Sequence, residues 1–144
     1  MFLGGDELLG AWVALIGGEI VGHVALRAPS SDDEAVERVM ALTGCSLDVV
    51  TKVARLFSDP ARRGRGIGTA LLDRATHYAH ELRRRPLLDV ETTSTIAIAL
   101  YCSQGWEHVG SRVVTFSSGD AMVLETYLGP SFESGTGPGP TRRF

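Results

Sequence analysis

The residues Arg62-Arg63-Gly64-Arg65-Gly66-Ile67-Gly68-Thr69 concentrate the chemistry of this chain, set between an apolar strand-like run and a long amphipathic helix. Glycine at alternate positions lets the backbone turn tightly and approach a ligand closely. The first N–H groups of a helix lack intrahelical partners and carry the positive end of its dipole, so a phosphate or pyrophosphate placed there accepts several hydrogen bonds at once. The three arginines add charge and forked donors. The segment reads as an anion cradle. A P-loop would require Gly-x-x-x-x-Gly-Lys-Ser/Thr, whereas Gly68 is followed by Thr69 and Ala70 with no lysine, which argues against kinase or ATPase chemistry. In a dinucleotide fingerprint the third glycine would come one residue later.

The remaining pattern, Arg-x-x-Gly-x-Gly after a strand, is carried by Arg63, Gly66 and Gly68 and resembles the pyrophosphate loop of the GNAT superfamily of acyl-CoA N-acyltransferases. Upstream, Val53 to Pro60 resembles the family's central strand and the proline that introduces the loop. Downstream, Ser94 to Trp106 resembles the family's Asn-x-x-Ala-x-x-Leu-Tyr-x-x-x-Gly-Phe signature: Ala97, Leu100, Tyr101 and Gly105 match, while Ser94 replaces the usual asparagine and Trp106 the usual phenylalanine. The resemblance covers roughly residues 11 to 128. It implies acetyl-CoA as co-substrate, with backbone amides from about Gly64 to Thr69 on its pyrophosphate and the main chain of Leu56 and Phe57 pairing with the pantetheine arm as an extra strand would. Ile67 and Ser94 complete the implied cofactor set, and Arg62 and Arg65 either reach its phosphates or stay in water. It further implies Tyr101 as general acid toward the departing thiolate; the competing reading is a core aromatic on the face of Ala97.

Moving an acetyl group to an amine requires the neutral amine, and an alkylammonium of pKa near 10.4 opposes this at pH 7 by ~4.6 kcal/mol. A base or a water relay is therefore needed. Glu91, just past a strand end, is the first candidate, with Asp59, Asp89 and His23 behind it. Arg55 lies in an otherwise apolar strand, where a buried charge is costly unless paired, so it faces either an acceptor cleft or a wet splay beside the cofactor. His77, His80 and Glu81 have helical metal-ligand spacing but are expected to form a solvated polar face, and no metal is predicted.

At 144 residues, 44% hydrophobic and 22% charged, the chain fits one core. No apolar run approaches the ~20 residues of a membrane span, and no signal peptide pattern opens the chain, so a cytoplasmic protein with no membrane partner is expected. A net charge of −3 argues against nucleic-acid binding. Cys45 and Cys102 are expected to be reduced thiols.

The elements that must position these residues alternate. Strands over 11–16 and 19–27 join at Gly17-Gly18 as a hairpin. A helix follows over 32–43, after Ser31 and Asp32 as N-cap candidates and before Gly44. A buried strand is expected over 50–57. The long helix over 66–85 places Ile67, Ala70, Leu71, Ala75, Tyr78, Ala79 and Leu82 on one stripe and stops at Pro86. A strand over 86–91, a helix over 94–104 and a hairpin of 106–115 with 120–128 complete the order ββαβαβαββ. This is an α/β (α+β) chain in which a central mixed, mostly antiparallel sheet is flanked by helices. Arg83-Arg84-Arg85 is expected to complement the helix dipole on a solvated face.

Residues 1–128 form the expected catalytic domain, and 129–144, rich in Gly, Pro, Ser and Thr, a flexible tail. GNAT domains usually begin with a strand and one or two helices that shape the acceptor side; about ten residues precede the hairpin here, so the domain reads as N-terminally truncated, or as borrowing the missing wall in a homodimer. The expected function is an acetyl-CoA-dependent N-acetyltransferase acting on a small-molecule or peptide amine, with a non-catalytic acyl-CoA-binding or sensing module as the alternative.

Overall fold

The computed structural model describes residues 7–62 and 64–132. Over these the chain forms one mixed sheet, with strands β1 (Leu8–Ile16), β2 (Glu19–Arg27), β3 (Val50–Ser58), β4 (Arg85–Glu91), β5 (Glu107–Thr115) and β6 (Ala121–Leu128) in the spatial order β1-β2-β3-β4-β6-β5. The β3–β4 pair is parallel and the others are antiparallel. Helix α1 (Glu34–Thr43) lies between β2 and β3, α2 (Ile67–Glu81) between β3 and β4, and α3 (Thr95–Ser103) between β4 and β5. The expected order of elements and mixed sheet are both present. None of the helices among the described residues is long and apolar enough to cross a membrane.

Local chemistry explains the joints. Gly17 and Gly18 have φ of 58° and 82°, as a two-residue hairpin turn requires. The N-cap of α1 is Asp33 rather than Ser31 or Asp32: its Oδ1 accepts from the N–H groups of Ala35 (2.8 Å) and Val36 (3.2 Å). Gly44 ends α1 in the left-handed conformation.

Helix α2 is shorter than its sequence suggests. It stops at Glu81 because Arg83 turns left-handed (φ 60°), and the Arg84 N–H bonds back to the Ala79 carbonyl (2.9 Å) while the Arg83 N–H reaches that of His80 (3.0 Å). This is a Schellman ending with arginine where glycine is usual. The arginine run is thereby a staple rather than a solvated helix face. Arg84 Nη1 donates to the Val50 carbonyl (2.9 Å), Arg85 Nε donates to that of Gly129 (2.7 Å), and Arg83 sits over the Phe132 ring. On α2 the buried residues are Leu71, Leu72, Ala75 and Ala79, whereas Ala70 and Leu82, expected on the stripe, are exposed.

Two hydrophobic clusters sandwich the sheet. Val24, Leu26, Val53, Leu88 and Val90 meet Leu71, Leu72, Tyr101 and Trp106 on the α2–α3 face, while Val50, Leu87 and Leu128 meet Ala35, Val36 and Val39 of α1 on the other. The start of β3 is covered on both faces, with Val50, Thr51 and Val53 buried, and beyond Val53 the strand becomes partly exposed. The chain stays packed past β6. Gly129 is buried, its N–H donates to the Pro86 carbonyl (2.8 Å), and a Cβ there would come within 2.9 Å of the Pro86 ring and 3.0 Å of Trp106. The Pro130 carbonyl contacts His80 Nε2 at 2.9 Å. The remainder of the expected tail, 133–144, lies outside the described residues.

Candidate active site

The parallel ladder between β3 and β4 pairs Val50 with Arg85, Thr51 with Pro86 and Lys52 with Leu87, and ends there. Beyond it the two strands run on unpaired with each other, so the sheet opens into a V. A cleft of about 680 Å³ fills the opening on the helix α2–α3 side. Its β3 wall is Leu56, Phe57 and Ser58; its loop side is Arg62, Gly64 and Gly66 to Thr69; its α3 side is Thr93 to Ala97 with Leu100 and Tyr101.

Two helix N-termini end at this cleft. Gly66 caps α2 with φ 73° and Ser94 caps α3, and neither start has a side-chain cap hydrogen bond. At the start of α2 the leading N–H groups are available as donors, whereas at α3 the Thr95 N–H already donates to the Thr93 carbonyl (2.9 Å). The Ala70 N–H bonds to the Gly66 carbonyl, which closes the first turn and leaves the Ile67, Gly68 and Thr69 N–H groups without a backbone partner among the described residues. The residues present therefore fit a pyrophosphate on the loop side and an extended amide-bearing arm along the free edge of β3.

Of the cofactor-binding residues expected from sequence, Leu56, Phe57, Arg62, Gly64, Gly66, Ile67, Gly68, Thr69 and Ser94 line the cleft. Arg62 also pairs with Glu19 (3.1 Å). Arg65 is exposed and lines a neighbouring cavity of about 490 Å³ with Trp12 and Arg74, whose guanidinium lies over the indole. Arg63 lies outside the described residues. Sequence reasoning missed Ser58, Thr93, Thr95 and Ile96; the start of α3 was the available signal for the last three.

Tyr101 is only 5% exposed yet borders the cleft. Burial pushes its hydroxyl up to about 12, so it stays protonated as a donor. The ring is set by helix termination. Gly105 (φ 85°) turns the chain after α3, so that Trp106 donates its N–H to the Tyr101 carbonyl (3.0 Å) and packs back on the ring, with Tyr127 on another side at 6.0 Å. The spacing Leu-Tyr-x-x-x-Gly-aromatic is this Schellman motif.

The carboxylates separate into two kinds. Asp89 is locked: Arg112 grips it at two points (3.1 and 2.8 Å), and Lys52 (3.1 Å) and the Thr126 hydroxyl (2.8 Å) add to the hold. Burial alone would raise its pKa, but these partners prevail and hold it below the usual range, which removes Asp89 as a base. Asp59 caps the turn over Pro60–Arg62 through the Ala61 N–H (3.0 Å). Glu91 is exposed at the end of β4, two residues along from Asp89 and hence on the same face, and does not border the cleft. Arg55 is exposed and is not among the residues that line the cleft. His77 pairs with Glu81 (3.2 Å). Hydrogen bonds from Ser111, Thr92 and His108 hold Glu125 of β6 down to about 2 and tie it to the turn leading into α3.

The fold recurs among solved structures. A ribosomal-protein-alanine N-acetyltransferase from Brucella melitensis matches with TM-score 0.64 and 23% identity, over 82% of this chain and 66% of that one. The ribosomal-protein-S18-alanine N-acetyltransferase from Escherichia coli matches with TM-score 0.63 and 18% identity, over 92% and 75%. A Salmonella typhimurium protein solved with its cofactor acetyl-CoA matches with TM-score 0.67 and 17% identity, over 91% and 69%. The chain spans just under two thirds of the Brucella protein's length. No curated protein matches the sequence. The family model of the acetyltransferase (GNAT) domain matches residues 8–108, and the chain belongs to that family.

Proposed function

We propose that this protein is an acetyl-CoA-dependent N-acetyltransferase acting on a primary amine, free or peptide-borne. One observation carries the reading: the opening between β3 and β4 is bordered by two helix N-termini without side-chain caps and by a buried, protonated tyrosine. Acetyl-CoA supplies the activated acyl thioester. The orphan N–H groups of Ile67, Gly68 and Thr69 bind its pyrophosphate with the help of Arg62, Arg63 and Arg65, and the main chain of Leu56 and Phe57 orients its arm. Ser94 offers a hydroxyl at the start of α3. Glu91, at the end of β4 and outside the lining of the cleft, takes the proton of the incoming ammonium through water.

Tyr101 holds a proton for the sulfur as it leaves. A phenol near 12 facing a thiol of ordinary pKa 8.5 would lose about 5 kcal/mol by complete transfer in the resting cleft, so Tyr101 acts first as a hydrogen-bond donor to the growing negative charge. Calorimetric titration with acetyl-CoA, followed by free-thiol release in the presence of a panel of primary amines and N-terminal peptides, tests the proposal. Binding with thiol release is expected. Binding without release on any amine leaves an acyl-CoA-binding module, and no binding overturns both.

A further inference from the structure

Two irregularities coincide halfway along β3. Between the pairs His23–Phe57 and Ala25–Ala54, β2 contributes one residue, Val24, and β3 contributes two, Arg55 and Leu56. This is a β-bulge, which bends the strand that carries the extra residue. Within it Arg55 has φ 54°, in the left-handed region that glycine fills easily and arginine rarely enters. Nothing in the side chain of an exposed arginine favours that conformation, so the surroundings must impose it.

Beside the ladder pairs that flank the bulge, one side chain of β2 engages it. His23 Nδ1 lies 2.9 Å from the Arg55 carbonyl oxygen, and the imidazole stacks on the Phe57 ring with centroids 5.7 Å apart and planes inclined by 16°. A carbonyl only accepts, so Nδ1 carries the proton, and it does so whether the ring is neutral or charged. His23 thus grips both ends of the bulge, by a hydrogen bond at Arg55 and by a ring face at Phe57. The bulge begins three residues after the β3–β4 ladder ends at Lys52, on the stretch whose free edge borders the cleft.

We propose that His23 is a positioning residue for acyl-CoA binding: by anchoring the carbonyl of the bulged Arg55, it holds residues 55–58 turned away from β4 with their edge open to the incoming arm. The proposal rests on the acyl-CoA reading above. It assigns His23 no proton transfer.

Amide hydrogen exchange and acetyl-CoA calorimetry on the full chain test it together. In His23→Ala, exchange at Leu56, Phe57 and Ser58 rises about 10-fold while the β5–β6 hairpin is unchanged, because only the local anchor is lost. The acetyl-CoA Kd rises about 10-fold, with kcat at saturation held within about 2-fold, the pattern of lost ground-state positioning. In the double variant His23→Ala with Arg55→Gly, glycine adopts the positive φ unaided and restores the Kd to within about 3-fold of the parent. Unchanged exchange and affinity in His23→Ala overturn the proposal. So does a loss of kcat at unchanged affinity, which would make His23 a participant in the chemistry, and so does an absence of rescue by Arg55→Gly. A parent chain that binds no acetyl-CoA defeats the functional reading and the ligand half of the proposal, whereas the exchange result decides the anchor on its own.

Discussion

Trp106 donates its backbone N–H to the carbonyl of Tyr101 across 3.0 Å, and the two rings lie 6.0 Å apart, so the residue that closes α3 also fixes the tyrosine that borders the cleft. Helix termination and site geometry are one structure here. Tyr101→Phe keeps the ring, its contacts with Trp106 and Tyr127 and its buried area, and removes only the hydroxyl. With an accepted amine in hand, we expect unchanged acetyl-CoA affinity and kcat lower by about 10²-fold. Parental kcat under conditions where chemistry limits would remove Tyr101 from the mechanism.

The same hydroxyl predicts an alkaline limit to stability. Its pKa rises from 10 to about 12 on folding, so it costs nothing below pH 10, where folded and unfolded chains are both protonated. Above pH 10 the unfolded chain ionises first, and the fold loses up to about 2.7 kcal/mol as pH climbs through 12. Tyr101→Phe should flatten this part of a pH-dependent melting curve, and an identical alkaline decline in both proteins would contradict the burial.

Asp89 and Glu91 are expected to fail in opposite ways. Asp89→Asn breaks a two-point pair with Arg112 and weakens Lys52, at a cost of about 2–3 kcal/mol and roughly 5–10 °C in Tm. Because the folded pKa of Asp89 is depressed, its contribution is complete above the unfolded value near 3.9 and disappears as pH falls through the lower folded one. Glu91→Gln, at an exposed site, should leave Tm within a degree or two but lower kcat/KM by about 10-fold or more. A Glu91→Gln enzyme with parental kcat/KM would point to water as the proton acceptor.

Arg83 is a stabilising opportunity. It occupies the left-handed position that ends α2, at φ 60°, where a side chain costs about 1 kcal/mol that glycine avoids. Arg83→Gly should raise Tm by about 2–4 °C after allowance for the lost contact with Phe132. A fall in Tm would mean that the contact with Phe132 outweighs the strain.

The sequence was most legible where local rules act alone. Gly17-Gly18, Gly44 and Gly105 each need positive φ, and each ends an element where periodicity also stops. The conformation of the loop before α2 was legible for the same reason, since glycine spacing ahead of an amphipathic helix marks both the turn at Gly64 and Gly66 and the helix start. The end of α2 was hidden because Arg83 takes a glycine conformation without being glycine, and the pull on Arg84 and Arg85 comes from Val50 and Gly129, 34 and 44 residues away in sequence. The locking of Asp89 was equally invisible: its partners Lys52, Arg112 and Thr126 come from three other strands and meet only through sheet register. Leu72 was left off the buried stripe of α2 although the structure buries it.

Gly66 and Gly68 should separate stability from binding. Gly66 sits at φ 73° with nothing within 4 Å of where a Cβ would be, so Gly66→Ala meets no clash but carries about 1 kcal/mol of backbone strain. It should lower Tm by a few degrees and weaken acetyl-CoA binding by distorting the cradle. Gly68 is helical, and its Cβ would meet only Leu100 Cδ2 at 3.4 Å, an ordinary contact. In the free protein, then, Gly68→Ala is permitted and gains helix propensity of up to about 1 kcal/mol, less near an N-terminus. What the methyl group takes away is space in the cleft that Gly68 lines beside Leu100, where a pyrophosphate must approach the backbone closely. Gly68→Ala is therefore expected to melt at or slightly above the parental temperature while its acetyl-CoA Kd rises about 10-fold or more. Thermal melts and calorimetry on the two variants check both halves. Parental affinity in Gly68→Ala would show that the ligand does not approach α2 at this residue and would move the phosphate site toward Arg65 and the neighbouring cavity.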